Sequence, residues 1–214
     1  MRRFTSSFYR LRRQVARRRR DFLRGISGRD LIVPALGTAW FPSRREQALS
    51  EAFIVLFVAE LETYLEFVVN DVLDLYEEHF RATSLPQCGA ATLFIERIVE
   101  KRKSWAKNNN ANWLRLEEYF RFIGLDKSFF PDGMWDHIET IVSQRGDIVH
   151  NSSGVRQMSD PRRSIHAIES CLVQLNMFDR DFLDWTERVR AEIVRLHFIE
   201  TRFIPGIGSM GVAV

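Results

Sequence analysis

The chain has 214 residues, 45% of them hydrophobic, and a formal charge of +3, which suits one domain with a sizeable core and argues against two full ones. No stretch is a membrane-spanning candidate, because the most apolar run, Ala52 to Ala59, is ended by Glu60. Two cysteines far apart, Cys88 and Cys171, and five scattered histidines form no C-x-x-C or H-E-x-x-H spacing. No metal, cofactor or disulfide framework is therefore expected, and a reducing cytoplasm is the expected location. The charge is asymmetric: residues 1–24 hold ten arginines and one acid, for +9, leaving −6 on the rest.

In that N-terminal arm Phe4, Phe8, Leu11, Val15 and Phe22 keep helical phase among the arginines, which predicts a basic amphipathic helix. Three roles are open to it: lying along nucleic acid through Arg12, Arg13, Arg17, Arg18, Arg19 and Arg20, docking its apolar stripe on the rest of the chain, or serving as an Arg-rich leader. A loop follows through Gly25, Gly28, Pro34, Gly37 and Pro42, with Leu31-Ile32-Val33 at most a short extended piece. These first 42 residues read as an appendage to a helical domain over 43–200, with a Gly-rich apolar tail at 201–214.

Ser43-Arg44-Arg45-Glu46 forms a capping box and opens a long helix to about Phe80, its core stripe Phe53, Phe57, Leu61, Tyr64, Val68 and Val72. Glu60 lies at the edge of that stripe and Glu62 further round. A break at Thr83 to Gly89 precedes a third helix, about Ala91 to Ala106, with Leu93, Phe94, Ile98 and Trp105 on its apolar face. Its end carries Lys101, Arg102, Lys103 and Lys107 beside Asn108-Asn109-Asn110, a pattern that serves either as a dipole complement or as a set of phosphate contacts. A shorter helix, about Asn112 to Ile123, buries Trp113, Leu116, Tyr119, Phe120 and Ile123 and ends at Gly124.

The next helix, from about Asp132, carries Met134, Trp135, Ile138, Ile141, Val142, Ile148 and Val149 at three- and four-residue intervals. Arg145 falls in phase with these apolar residues, and an inward guanidinium requires a carboxylate, an anion or a subunit interface; Glu60 and Glu62 are the candidate carboxylates. Asn151-Ser152-Ser153-Gly154 ends the helix, leaving His150 in its last turn, where the dipole favours the imidazolium. At about 100° per residue, Arg145 and His150 point roughly 140° apart, while Asp147 and His150 are neighbours. One copy therefore makes a poor Arg-His pair, whereas two copies across a two-fold axis converge two of each on one cleft. Ser159-Asp160-Pro161 opens a final long helix to about Ile199, with Ile165, Ile168, Leu172, Leu175, Phe178, Phe182, Trp185, Val189, Ile193 and Leu196 in phase. Arg190 and His197, seven apart within that helix, read as a chance pair.

Arg145-x4-His150 at a helix end, after a long helix carrying Val58-Ala59-Glu60-Leu61-Glu62-Thr63-Tyr64-Leu65, resembles the HEPN superfamily of all-helical ribonucleases over roughly Ser43 to Trp185. The resemblance implies an all-α bundle of long antiparallel helices, a homodimer, and metal-independent cleavage of RNA at an Arg-x4-6-His site. It further implies Arg145 and His150 as catalytic residues, Asp147 and Asn151 in orienting or binding roles, and service as a toxin or anti-phage effector restrained by an antitoxin. Two positions depart from the family pattern. Gly146 stands where a polar residue often follows the Arg, and Ser152 stands where members silenced by nucleotide transfer carry Tyr. A catalytically silent helical module that binds RNA or a protein is the alternative.

Overall fold

The computed structural model describes residues 4–26, 44–82, 89–107, 111–150 and 161–203. The described residues form six α-helices, α1 (Ser6–Ile26), α2 (Arg44–Ala82), α3 (Gly89–Lys107), α4 (Trp113–Phe122), α5 (Met134–His150) and α6 (Pro161–Phe203), with a 3-10 turn at Lys127–Phe129. Among them no strand occurs, so the all-α class stands, and no helix is long and apolar enough to cross a membrane. The loop of 27–42 with its Leu31 to Val33 piece, the Ser43 cap, the Asn108 to Asn110 loop, the breaks at 83–88 and 151–160, and the 204–214 tail lie outside the described residues.

The two long helices persist for simple reasons. No Gly or Pro interrupts 44–82, and the one Pro of α6 is its first residue, where the missing N–H costs nothing. On α2 the buried face is broad, from Phe53, Phe57 and Tyr64 on one flank to Val58, Leu65 and Val69 on the other, so α2 packs against α1, α3, α5 and α6. Phe8 meets Tyr64 and Phe22 stacks on Phe53, which sets α1 antiparallel to α2. Thr5 bonds to Asp179 and Arg19 to Glu169, which sets α1 antiparallel to α6 as well. The two longest helices thus run in the same direction, opposite to α1, which differs from the expected antiparallel arrangement of the long helices. The helices α3, α4 and α5 intervene in the chain between α2 and α6.

The arm docks. Phe8, Leu11, Val15 and Phe22 are buried within the same core as α2 and α6, so the apolar stripe of α1 is covered by its own chain and its arginines face outward. The start of α1 is held by a polar node. Thr5 Oγ1 accepts from the Phe8 N–H at 3.1 Å, an ordinary N-cap. Asp179 of α6, fully buried, accepts from the Thr5 N–H at 2.8 Å, the Thr5 hydroxyl at 2.5 Å and the Tyr64 hydroxyl at 2.9 Å. Burial pushes the Asp179 carboxyl above its usual range against those hydrogen bonds, and burial together with the Asp179 charge holds the Tyr64 hydroxyl well above its own, keeping it a donor.

An aromatic cluster seats the lower half of the bundle. Trp135 of α5 lies 4.9 Å from Trp113, 5.2 Å from Phe130 and 5.8 Å from Phe120, ring centre to ring centre, and Phe130 stacks on Phe178 of α6 at 4.9 Å. Gly124 makes the turn that brings Phe130 there. Its φ of +90° favours glycine, and the Leu125 N–H reaches the Phe120 carbonyl at 2.8 Å while the Gly124 N–H reaches Arg121, a Schellman cap. Two described residues of the expected apolar faces are exposed, Val149 of α5 and Leu93 of α3, the latter at 66%; Phe94, one residue after Leu93, takes the packing against Tyr76, Phe80 and Phe122.

The Asp179 node makes two predictions. Asp179→Ala leaves the Thr5 N–H and Tyr64 hydroxyl buried without an acceptor and should cost about 1–3 kcal/mol in urea unfolding, against about 1 kcal/mol for Tyr64→Phe. Since folding raises the Asp179 pKa, its contribution is greatest below the ordinary carboxylate range and is lost as pH rises through the folded-state value. The stability of Asp179→Asn relative to the wild type should therefore increase from acidic to neutral pH; a flat or opposite trend refutes the linkage.

Candidate functional site

Burial along α5 fades toward the motif. Met134, Trp135, Ile138 and Ile141 are buried, Val142, Arg145 and Ile148 are half-buried, and Val149, Asp147 and His150 are exposed. The helix emerges from the core one turn before its end, so Arg145 keeps the inward phase of Ile138 and Ile141 yet reaches partial solvent. The motif end presents an uncovered edge, with Val149 47% exposed beside His150.

Of the two candidate carboxylates, Glu62 is the one on which the Arg145 charge acts, with no hydrogen bond or ion pair joining the two among the described contacts. Its carboxyl is half-buried, and burial raises its pKa; the Ala111 N–H bonded to it and the positive charge of Arg145 pull the other way. Glu60 is two residues away, about 200° around α2, and so occupies the opposite flank from Glu62. Glu62 ties α2 to the Ala111 lead-in to α4, in reach of the Arg145 charge on α5. The Asn112 side chain then caps α4 by accepting from the Leu114 N–H at 2.9 Å.

Within one chain the motif residues diverge. Arg145 is half-buried in phase with Ile138 and Ile141, while Asp147 and His150 stand on the exposed side, as the helical phase requires. Asn151 lies outside the described residues. Gly146 is helical with a negative φ, and a Cβ built on it meets nothing within 4 Å; neither backbone strain nor close packing demands glycine there.

The basic residues divide by the work they do. Lys101 is buried, paired with Glu118 and set over the Tyr119 and Phe122 rings. Arg102 bridges Asp74 and Glu77 of α2. Both cations are thus engaged within the bundle, Lys101 beside a second α3–α4 link between the Ser104 and Tyr119 hydroxyls at 2.7 Å. Lys103 is exposed; the Lys107 side chain lies outside the described residues. On α1, Arg12 lies over Phe4 and Phe8, Arg19 pairs with Glu169, and Arg18 is half-buried. Arg13, Arg17 and Arg20 are exposed.

Of the two cysteines, Cys171 is buried, which pushes its thiol up to about 12 and leaves it inert at neutral pH; Cys88 lies outside the described residues, as does the His197 side chain. Among the described residues no group of three or more His, Cys, Asp or Glu is placed to hold a metal ion. Asp179 and its donors are the polar cluster that sequence reasoning missed. Its signal was available, since Asp179 falls four residues after Leu175 and three before Phe182, inside the apolar phase of α6.

No family model matches the chain, and no curated protein or solved structure matches it.

Two measurements test this geometry. Arg145→Met removes a charge that lowers the Glu62 pKa, so the Glu62 carboxyl should titrate higher by NMR in that variant, and an unchanged value would separate the two groups. Gly146→Ala should stabilise the fold by about 0.5–1 kcal/mol in urea unfolding, because the helix gains propensity and the added methyl meets no atom.

Proposed function

We propose that the chain is a metal-independent endoribonuclease of the HEPN type, working as a homodimer with Arg145 and His150 of both copies in one cleft. The observation that carries this reading is the placement of Arg145. It is a half-buried arginine beside a half-buried glutamate, one turn and a half before an exposed histidine, on a helix end whose in-phase apolar residues Ile148 and Val149 are incompletely covered. A single copy does not converge the pair, so a second copy seated on that edge is part of the proposal.

The chemistry follows from RNA itself, whose 2′-hydroxyl attacks the adjacent phosphate once deprotonated. A histidine near neutral pKa removes that proton, and the second copy's histidine protonates the departing 5′-oxygen. The Arg145 guanidinium offers two parallel donors to the oxygens on which charge develops, and Glu62 restrains it in that orientation. Asp147, next to His150 on the exposed side, orients the imidazole or the substrate backbone, and Asn151 adds a further polar contact. The products are a 2′,3′-cyclic phosphate and a 5′-hydroxyl, and DNA is spared because it lacks the nucleophile. A cytoplasmic toxin or anti-phage effector, restrained by an antitoxin, is the biological role consistent with such an activity. The divergence of Arg145 and His150 in one copy favours the second reading, a silent helical module binding RNA or protein, if the chain proves monomeric.

The test is cleavage of end-labelled single-stranded RNA and the equivalent DNA in EDTA, with end-group analysis. RNA alone should be cut, to cyclic-phosphate ends, and His150→Ala and Arg145→Ala should each lower the rate by at least about 100-fold with helicity retained. Below the dimer dissociation constant the rate should rise with the square of protein concentration. Undiminished cleavage by pure His150→Ala protein overturns the assignment, and absence of cleavage with RNA still bound turns the reading to the silent module.

A further inference from the structure

The outward face of α1 is organised more tightly than its count of arginines requires. Arg10, Arg13, Arg17, Arg20 and Arg24 follow one another at alternating steps of three and four residues. On a helix whose buried line is Phe8, Leu11, Val15 and Phe22, this places all five on the side opposite the core. They line one open cleft together with Tyr9, Gln14 and Asp21. Successive guanidinium-bearing positions are about 5 Å apart along the axis, and the row is about 21 Å long. Among the described residues α1 makes one ion pair, Arg19 to Glu169, and Arg19 is not in the row.

Two aromatic rings flank the row at its N-terminal end. Tyr9 is 50% exposed, and Phe67 of α2, 39% exposed, lies under Arg10 with the guanidinium 5.8 Å from its ring centre. We infer that this row is a docking rail for the phosphate backbone of a single nucleic-acid strand, with Tyr9 as a stacking platform for a base, separate from the Arg145 and His150 motif.

Three features select this partner. The repeated ligand is a charge at regular spacing, which a polyphosphate backbone supplies and which arginine binds in bidentate fashion better than lysine. Exposed aromatic faces beside a cationic track are what unpaired bases stack on, a duplex offering no free base face. The apolar face of α1 is spent on the core, so the helix has nothing to insert into a lipid surface, which an interfacial amphipathic helix requires. The rail and the proposed catalytic edge are carried by different helices, α1 and α5, each packed on α2 and α6. It acts as a hold on the strand, independent of cleavage. Asp21 sits within the row and opposes it.

The experiment measures anisotropy of a labelled single-stranded 2′-O-methyl oligonucleotide, which has no free 2′-hydroxyl and so reports binding whether or not the chain cuts RNA. With five contacts the slope of log affinity against log salt should be about −3.5, so a fourfold rise in salt weakens binding about 100-fold. In Arg13→Gln/Arg17→Gln/Arg20→Gln the slope should fall to about −1.4, making the same rise cost about sevenfold. Tyr9→Ala should weaken binding roughly tenfold without altering the slope, and Asp21→Asn should tighten it. The control is Arg121→Gln/Arg180→Gln/Arg188→Gln, which removes equal charge from exposed positions elsewhere, with thermal melts showing all variants folded. Equal weakening by the control, an unchanged slope in the α1 variant, or displacement of the oligonucleotide by poly-glutamate of matched charge at matched potency would each overturn the proposal, the last in favour of an acidic protein partner.

Discussion

Three helices from the two ends of the chain meet at one carboxylate. Asp179 is buried without a cation, and what keeps it tolerable is three donors, two of them from Thr5 at the positive end of α1. The same contacts fix where α1 begins and how it lies against α2 and α6, and thereby which of its arginines look outward. Apolar burial alone would let an amphipathic helix slide by a turn along its groove; a buried carboxylate with three directional bonds does not permit it. The orientation of the basic face is thus a consequence of a polar contact in the core.

On the other side of α2 a second half-buried carboxylate has an analogous role. Glu62 gathers the Ala111 N–H and the Arg145 charge, so the loop entering α4 and the end of α5 refer to the same point on α2. The aromatic cluster around Trp135 and Phe130 holds α5 at its start, and the Arg145 charge acts on Glu62 near its end.

The helices were legible in the sequence because their apolar residues keep period, over only about three turns in α4 and longer in the others, and because Pro161 and Gly124 mark ends for stated backbone reasons. The site was partly legible. Arg145 was recognised as an inward cation from its phase, and the same rule applied to Lys101, three residues after Ile98 and four before Trp105, would have found the buried pair with Glu118. Asp179 follows the same logic on α6. What phase cannot supply is the choice between neighbouring carboxylates. Glu60 and Glu62 flank one stripe, and which flank α5 takes depends on the turn at Gly124 and on the packing of Phe130 against Phe178, a tertiary outcome. Directions of non-adjacent helices are equally a tertiary matter, and the shared direction of α2 and α6 has no local signature.

The bond between Thr5 and Asp179 spans 174 residues of chain. On a ribosome α1 emerges before α6 and can pair early with α2, through Phe8 against Tyr64 and Phe22 against Phe53. Its final register must wait until most of α6 has been synthesised. During that interval the arginine helix is tethered but not yet clocked into position, and an acidic chaperone surface or a nearby RNA would meet it in that state. A helix made well before α6 is fastened only once α6 is present, which makes assembly of the basic face a report that the bundle has closed.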